Sequence, residues 1–234
     1  MKKMSKRSRT WNQMLYEQRL KKGRGSGEGS NYQPWISIHD FPSHGTVARI
    51  KGWKTNRVHH FLSKYELQYF FLLEWADTVI DIREQYPLLD VSATLEIAES
   101  ANIIHPYDKK SGFPYVLTSD FFITTTQGFL ARTIKMSKEL ENKRILEKLE
   151  IERRYWSNKG ISWQLVTEKE INYEKAKNIE WIHFSKTLQG IPYDDILICK
   201  MIFEILELYA RTDRAILEIC NHIDNLHGVR HGTG

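Results

Sequence analysis

The chain has 234 residues, of which 41% are hydrophobic, and it carries a formal net charge of +5 with a pI of about 9.0. A chain of this kind can bury a sizeable core, which we expect to form one large domain and one small one. No apolar run reaches the roughly 18 residues that span a bilayer. The two cysteines, Cys199 and Cys220, lack metal-ligand spacing. We therefore expect a cytoplasmic protein without membrane contact, structural zinc or a disulfide framework.

The positive charge is concentrated near the N-terminus, where residues 2–24 hold nine Lys or Arg against Glu17 alone. Such an arm suits contact with DNA phosphates, although a terminal charge run can equally be only solvated and flexible. Residues 8–22 are predicted to form a basic helix, and the glycine-rich segment 23–30 a flexible linker. The candidate DNA-binding residues of the arm are Lys6, Arg7, Arg9 and Arg24.

A helix is predicted from Ser63 to about Asp77, because apolar residues recur along it at helical spacing. Glu66 has two interpretations at its start. In the first, Ser63 and Glu66 form a capping box, in which each side chain accepts a backbone N–H. In the second, Glu66 is a functional carboxylate held on a rigid helix. Spacing alone favours the cap.

A strand is predicted from Thr78 to Leu89, and a helix follows to about Ala101. After a loop comes a β-hairpin, with strands at 120–126 and 129–135 and with Gln127-Gly128 as its turn. This register places Asp120 opposite Lys135 and brings both to one face together with Thr133. A solvated ion pair is one explanation, but Phe121 and Phe129 indicate that at least one face of the hairpin is covered.

Ser137 is predicted to cap a long helix that ends near Asn158. Glu152 falls on its apolar stripe, so this carboxylate needs a partner, which is Lys148 by helical spacing or else Lys135 or a metal. A further strand is expected at 161–167 and short helices at 168–188 with Trp181 and Phe184 buried. A pair of amphipathic helices is expected at 196–226.

An acid at the start of one strand and a lysine at the end of the next are typical of metal-assisted phosphodiester hydrolysis. Carboxylates bind Mg²⁺ through oxygen, and a nearby lysine can orient the attacking water. The spacing matches the PD-(D/E)XK nuclease arrangement.

The surrounding segments make that match more specific. They are GRGSGEGSNYQPW, NRVHHFLSKYELQYFFLLEW, DIREQYPLL, IIHP, TSDF, EKLEIERRYW and NIEWI. Through them the chain resembles the TnsA family, the endonuclease subunits of heteromeric transposases, from about Arg24 to Ile182. The resemblance implies a restriction-endonuclease-like α/β fold, with a mixed sheet flanked by helices and a small, mainly helical C-terminal domain.

The resemblance also assigns roles to residues. It implies that Glu66 and Asp120 hold Mg²⁺, expected as two ions with Mn²⁺ able to substitute, and that the Ile134 carbonyl is a further ligand. Lys135 would position the hydrolytic water, and Glu152 would support the site. Thr133 stands where the family has Gln or an acid, which puts a direct metal contact by its side chain in question.

The implied activity is hydrolysis of the 5′ strands at transposon ends during DNA transposition, on double-stranded DNA in the bacterial nucleoid. The implied partners are a TnsB-like DDE transposase and a TnsC-like AAA+ ATPase. The predicted domains are an arm and linker (1–30), a nuclease domain (31–168) and a partner-binding helical domain (169–234). Two alternatives stay open, namely a catalytically silent scaffold subunit and a stand-alone restriction-like nuclease.

Overall fold

A computed structural model of the chain describes residues 10–40, 47–183 and 193–230. The predicted DNA-binding residues Lys6, Arg7 and Arg9 lie outside these ranges, as does Phe184. The α-helices are α1 (Gln13–Lys21), α2 (Lys64–Trp75), α3 (Val91–Ser100), α4 (Lys143–Asn158), α5 (Tyr173–His183), α6 (Asp195–Arg211) and α7 (Ile216–His227). The strands are β1 (Ala48–Lys51), β2 (Val58–Phe61), β3 (Val79–Pro87), β4 (Thr118–Thr125), β5 (Gly128–Ile134) and β6 (Ser162–Val166).

Four strands form a mixed sheet in the order β3-β4-β5-β6. The first three are antiparallel, whereas β6 runs parallel to β5. A parallel neighbour requires a long crossover, and α4 is the helix that supplies it. Strands β1 and β2 form a separate antiparallel pair. This confirms the predicted α/β class with a mixed sheet flanked by helices.

The sheet is buried on both faces because alternate side chains enter two different cores. Phe121 and Ile123 of β4 pack with Phe70 and Phe71 of α2. Between them, Phe122 points the other way and joins a cluster built on α3 and α4. Asp120 lies two residues before Phe122 on β4, so its side chain is on the same face of the sheet, the face that carries α4.

The hairpin turn begins one residue earlier than predicted. Thr125 pairs with Gly128, so the turn is Thr126-Gln127, and the Thr125 hydroxyl accepts the Gln127 N–H at 3.1 Å. Gly128 has a φ of +126°, which a residue with a Cβ rarely adopts. The predicted register was therefore wrong by two residues, but an even shift keeps Asp120, Thr133 and Lys135 on one face.

Two helical details also differ from the prediction. The long helix starts at Lys143, with Asn142 as its cap, and a 3-10 helix at Ser137–Glu141 precedes it. Ser137 is not that cap, because its N–H and hydroxyl both donate to Glu168. Trp181 is 80% exposed rather than buried. The inward positions of α5 are Ala176, Ile179 and His183.

The glycine-rich segment 23–30 is folded against β3, unlike the flexible linker predicted for it. Gly25 donates to Gln33 O at 2.6 Å, and Gly29 N–H reaches Asp81 Oδ2 at 3.2 Å. A Cβ on Gly25 would lie 2.3 Å from Pro87 Cγ, and its φ is +77°. Glycine is required here because the backbone passes too close to the strand for any side chain.

The chain divides into two compact units between Trp181 and Ile182. Ile171 and Ile179, beyond the predicted end of the nuclease domain at residue 168, pack in the core of the first unit. In the second, α6 and α7 pack through a small apolar cluster that includes Met201 and Ile219. Among the described residues, no helix is both long and apolar enough to cross a membrane.

Candidate active site

The carboxylate of Asp120, on β4, is held by donors at both oxygens. Oδ2 accepts the Ile134 N–H at 2.7 Å and the Lys135 ammonium at 3.2 Å. Oδ1 accepts the Gln85 side-chain amide at 3.2 Å. Asp120 is buried, and a buried carboxylate needs hydrogen-bond donors to offset its loss of water. The β4–β5 hairpin thus brings together the acid and the lysine that the sequence had placed on one face.

Lys135 follows directly after β5, and its ammonium is only partly withdrawn from solvent, with 29% of its side chain exposed. It also donates to Ile134 O at 2.8 Å. Burial alone would lower the pKa of Lys135, but the negative charges of Asp120 and Glu66 outweigh it and raise the pKa above its usual value. Lys135 is therefore a cation in this site, in contrast to the solvated surface ion pair considered from the sequence.

Glu66 lies in the first turn of α2 and takes part in the cap at the start of that helix. Its N–H is capped by the Ser63 hydroxyl at 3.1 Å, while its Oε2 accepts the N–H of Leu62, one residue before the predicted partner. Burial, together with the nearby charge of Asp120, raises the pKa of Glu66 to about 7. The two carboxylates are thus close enough to repel each other, an arrangement that a proton or a metal ion relieves.

Glu152 is buried at the back of the same pocket and accepts the hydroxyls of Ser119 and Thr133. These hydroxyls replace the Lys148 partner suggested by helical spacing. Burial raises the pKa of Glu152 to about 7, although both hydroxyl bonds act in the opposite direction. Trp156 donates its indole N–H to Ser119 Oγ at 2.7 Å and fixes that hydroxyl in turn. The Thr133 hydroxyl therefore points to α4 and donates its hydrogen bond to Glu152.

Asp120, Thr133, Lys135 and Glu152 line an open pocket of about 210 Å³, whereas Glu66 is not among its lining residues. Two lysines, two carboxylates and several apolar side chains face this space. The residues that line it are Val116, Leu117, Thr118, Asp120, Thr133, Lys135, Ile145, Lys148, Leu149 and Glu152.

Arg24, the one predicted DNA-binding residue that the structure describes, is bonded within the protein. Its guanidinium contacts Asp40 at 2.6 Å and the Trp35 carbonyl oxygen at 3.0 Å. Arg19 bonds the same carbonyl at 3.2 Å. Both arginines therefore hold α1 and the segment that follows it against Trp35.

One residue of the site was missed by the sequence reasoning. Gln85 donates to Asp120, yet glutamine in the middle of a strand carries no chemical signature. Its φ of +48° is the feature that sets it apart, and only the structure shows that angle.

The comparisons with known proteins agree with this geometry. The family model for the TnsA-like endonuclease N-terminal domain matches residues 76–168, a range that contains Asp120, Lys135 and Glu152. Transposon Tn7 transposition protein TnsA of Escherichia coli is 38% identical over 224 residues, which cover 94% of this chain and 80% of that protein. The chain belongs to the TnsA family of transposon endonucleases. The TnsA-like match starts after α2, so Glu66 lies outside it.

Proposed function

We propose that this chain is the Mg²⁺-dependent endonuclease subunit of a heteromeric transposase and that it hydrolyses the 5′ strands at transposon ends during cut-and-paste transposition. The observation that carries the proposal is the convergence of Asp120 and the Ile134 carbonyl oxygen on the ammonium of Lys135. Asp120 and Lys135 line an open pocket, and the buried Glu66 is close enough to feel the charges of both. Membership of the TnsA family supplies the class of substrate, the DNA of a transposon end.

The residues present fit a hard divalent cation. Asp120 Oδ2 and Ile134 O both accept from one ammonium nitrogen, Lys135 Nζ, so these two oxygens already converge on a positive charge. Carboxylate and carbonyl oxygens are the ligands that Mg²⁺ and Mn²⁺ prefer. Within the described parts of the chain, no three His, Cys, Asp or Glu side chains form a metal-binding group. Water and a DNA phosphate would complete the ligand set.

Glu66, Asp120 and the Ile134 carbonyl would hold the metal ions, which supply charge stabilisation for the phosphate and a more acidic water. The protein provides the geometry. Asp120 is fixed at both oxygens, and Glu66 is fixed by the helix start. Such preorganisation is what makes electrostatic stabilisation effective.

Lys135 acts as a donor rather than a base in this proposal, because its raised pKa keeps it protonated at neutral pH. An ammonium has three N–H donors, and two of them point to Asp120 and Ile134. The third is free to orient the attacking water or a phosphate oxygen at the pocket mouth. In hydrolysis, water adds to phosphorus and the deoxyribose oxygen leaves with a proton.

We further propose that the chain works with a TnsB-like DDE transposase, which processes the 3′ ends, and with a TnsC-like AAA+ ATPase as regulator. This follows from family membership. The α6–α7 unit is the part that we propose for partner binding, as the nuclease pocket lies in the first unit.

Strand-specific cleavage mapping tests the function. The protein is incubated with transposon-end DNA and Mg²⁺, with and without its partner transposase, and each strand is sequenced at the cut. We expect 5′-strand cuts that need both the partner and Mg²⁺. Asp120→Asn and Lys135→Ala should lose them, whereas the exposed-residue controls Asp77→Asn and Lys169→Ala should cut normally.

Each other outcome of this experiment would support a different site or function for the chain. Cutting that persists in both Asp120→Asn and Lys135→Ala overturns the assigned site. Absence of cuts by the unmodified chain, with DNA binding retained, indicates the scaffold alternative. Robust cutting without a partner indicates a stand-alone nuclease.

A further inference from the structure

Gln85 occupies a backbone conformation that glutamine rarely adopts. Its φ is +48°, within the left-handed region that disfavours residues with a Cβ. The side chain is nevertheless buried inside β3, between residues that pair regularly with β4 on either side. A strained residue persists only where the surrounding contacts determine its position, and such residues cluster at functional sites.

Three hydrogen bonds determine the position of Gln85. Its side-chain amide donates to Asp120 Oδ1 at 3.2 Å, and its side-chain oxygen accepts the Thr118 hydroxyl at 3.1 Å. Its main-chain carbonyl accepts the Trp35 N–H at 3.3 Å. Both ends of the amide are thus engaged on β4, two residues apart on one face of the strand.

The bond to Asp120 completes the orientation of that carboxylate. The Ile134 N–H and Lys135 hold Oδ2, whereas Gln85 holds Oδ1 from the opposite strand. With donors at both oxygens the carboxylate plane cannot rotate freely. The donor from Gln85 is also uncharged, so it orients the acid without neutralising the negative charge that a cation requires.

We propose that Gln85 is a positioning residue that fixes the Asp120 carboxylate for metal binding and for DNA cleavage. The inference rests on the proposed function, since it assumes that Asp120 holds the cation. In this proposal Gln85 acts through Asp120 and is assigned no contact with the DNA or the metal ion. The left-handed backbone conformation of Gln85 lets its side-chain amide reach Asp120 while its main-chain carbonyl accepts the Trp35 N–H.

Two kinds of substitution separate positioning from folding. Gln85→Gly and Gln85→Asn both suit a positive φ, but neither side chain reaches Asp120. Gln85→Glu keeps the length of the side chain and replaces the donor by a carboxylate that repels Asp120.

The readouts are Mn²⁺ binding, followed by electron paramagnetic resonance of the free ion, and single-turnover cleavage in the assembled transposase. For Gln85→Gly and Gln85→Asn we expect Mn²⁺ affinity to fall by about tenfold and cleavage by about 10- to 100-fold. Gln85→Glu, which presents a carboxylate to Asp120 in place of the amide donor, should lose cleavage by at least as much. Circular dichroism confirms that each variant is folded.

The variant Asp120→Asn separates the positioning role of Gln85 from the proposed nuclease function. If it abolishes Mn²⁺ binding and cleavage while Gln85→Gly and Gln85→Asn retain both, the positioning role is overturned and the proposed function stands. Cleavage by Gln85→Glu at the rate of the unmodified chain also overturns the positioning role. If Asp120→Asn binds Mn²⁺ and cleaves as the unmodified chain does, the proposed function fails and the role of Gln85 fails with it.

Discussion

The ammonium nitrogen of Lys135 lies 3.2 Å from Asp120 Oδ2 and donates at the same time to the carbonyl of Ile134. A cation from the protein thus contacts the two oxygens proposed as metal ligands. The lysine and the metal ion are therefore neighbours that compete for the same lone pairs, as well as partners in the reaction.

Removing this ammonium should separate metal binding from cleavage. In Lys135→Ala we expect Mn²⁺ to bind at least as tightly as in the unmodified chain, because no positive charge competes for Asp120 and Ile134. Cleavage should nevertheless fall by roughly 100-fold or more, because a preorganised donor to the reacting groups is lost. Mn²⁺ titration of the two proteins, alongside single-turnover cleavage, measures both effects. Weaker Mn²⁺ binding in Lys135→Ala would contradict the proposed competition.

Thr133 should act through Glu152 and not through the metal. Thr133→Val removes the hydroxyl that donates to Glu152, so the free energy of unfolding should fall by about 1–3 kcal/mol. The Mg²⁺ concentration for half-maximal cleavage should stay the same. Thr133→Ser, which keeps the hydroxyl, is the matched control and should retain most of the stability. A shifted Mg²⁺ dependence in Thr133→Val would mean that the threonine is a ligand.

Because of Glu152, we expect the free energy of unfolding to depend on pH when a chelator is present. Its folded-state pKa is raised to about 7, so the folded chain binds a proton that the unfolded chain releases at a lower pH. The resulting stabilisation is complete below about pH 4.5 and is lost as the pH rises through about 7, with a total of up to about 3 kcal/mol. Urea unfolding from pH 5 to pH 8.5 measures it. Glu152→Gln, which stays neutral, should reduce the slope and leave the contribution of Glu66, whose pKa is also raised to about 7. An unchanged slope would refute the assignment.

Arg57 and Glu84 form a fully buried ion pair that joins the β1–β2 pair to β3. His59 also contacts Glu84, and these partners hold the pKa of that carboxyl well below its usual range despite its burial. Arg57→Ala leaves a buried charge without its main partner, so unfolding should become easier by about 3–5 kcal/mol. Arg153→Ala breaks an exposed pair with Glu150 and should cost below about 1 kcal/mol. Similar losses in the two variants would be inconsistent with this interpretation.

The basic arm predicts a salt-dependent contribution to DNA binding. Deletion of residues 2–9 removes five Lys or Arg, which should weaken binding and flatten the dependence of log affinity on log salt concentration. The deletion should not extend to Arg24, because that residue holds Trp35 through its carbonyl. Fluorescence anisotropy at several salt concentrations checks the result. An unchanged slope would return the arm to a solvated, non-binding role.

The hairpin shows how far the sequence reaches. Side chains alternate between the two faces of a strand, and this alternation is enough to place Asp120, Thr133 and Lys135 on one face. An error of two residues in the register leaves each side chain on the same face. The turn itself was mispredicted. A glycine in a turn sequence suggested Gln127-Gly128, whereas the Thr125 hydroxyl starts the turn earlier, and competition of this kind between side chain and backbone is hard to rank from sequence.

Buried polar partners were the part that sequence patterns could not supply. Helical spacing offered Lys148 to Glu152, but hydroxyls from two different strands satisfy it. Gln85 gave no signal at all, since its importance depends on a backbone angle and on a strand pairing across 35 residues. Contacts between distant segments depend on the completed fold, and a local pattern does not encode them.

The contacts of Trp11 carry a consequence for the order of folding. Its indole N–H donates to Pro114 O, 103 residues away, and its carbonyl accepts the Ser111 hydroxyl, 100 residues away. A growing chain therefore exposes this N-terminal segment long before its docking site has been synthesised. Non-local contacts of this span form slowly. Because Trp35 packs in the same cluster and donates to Gln85, the N-terminal segment is tied to the nuclease pocket, whose lining extends to Glu152. These contacts should therefore be completed only after α4 has been synthesised.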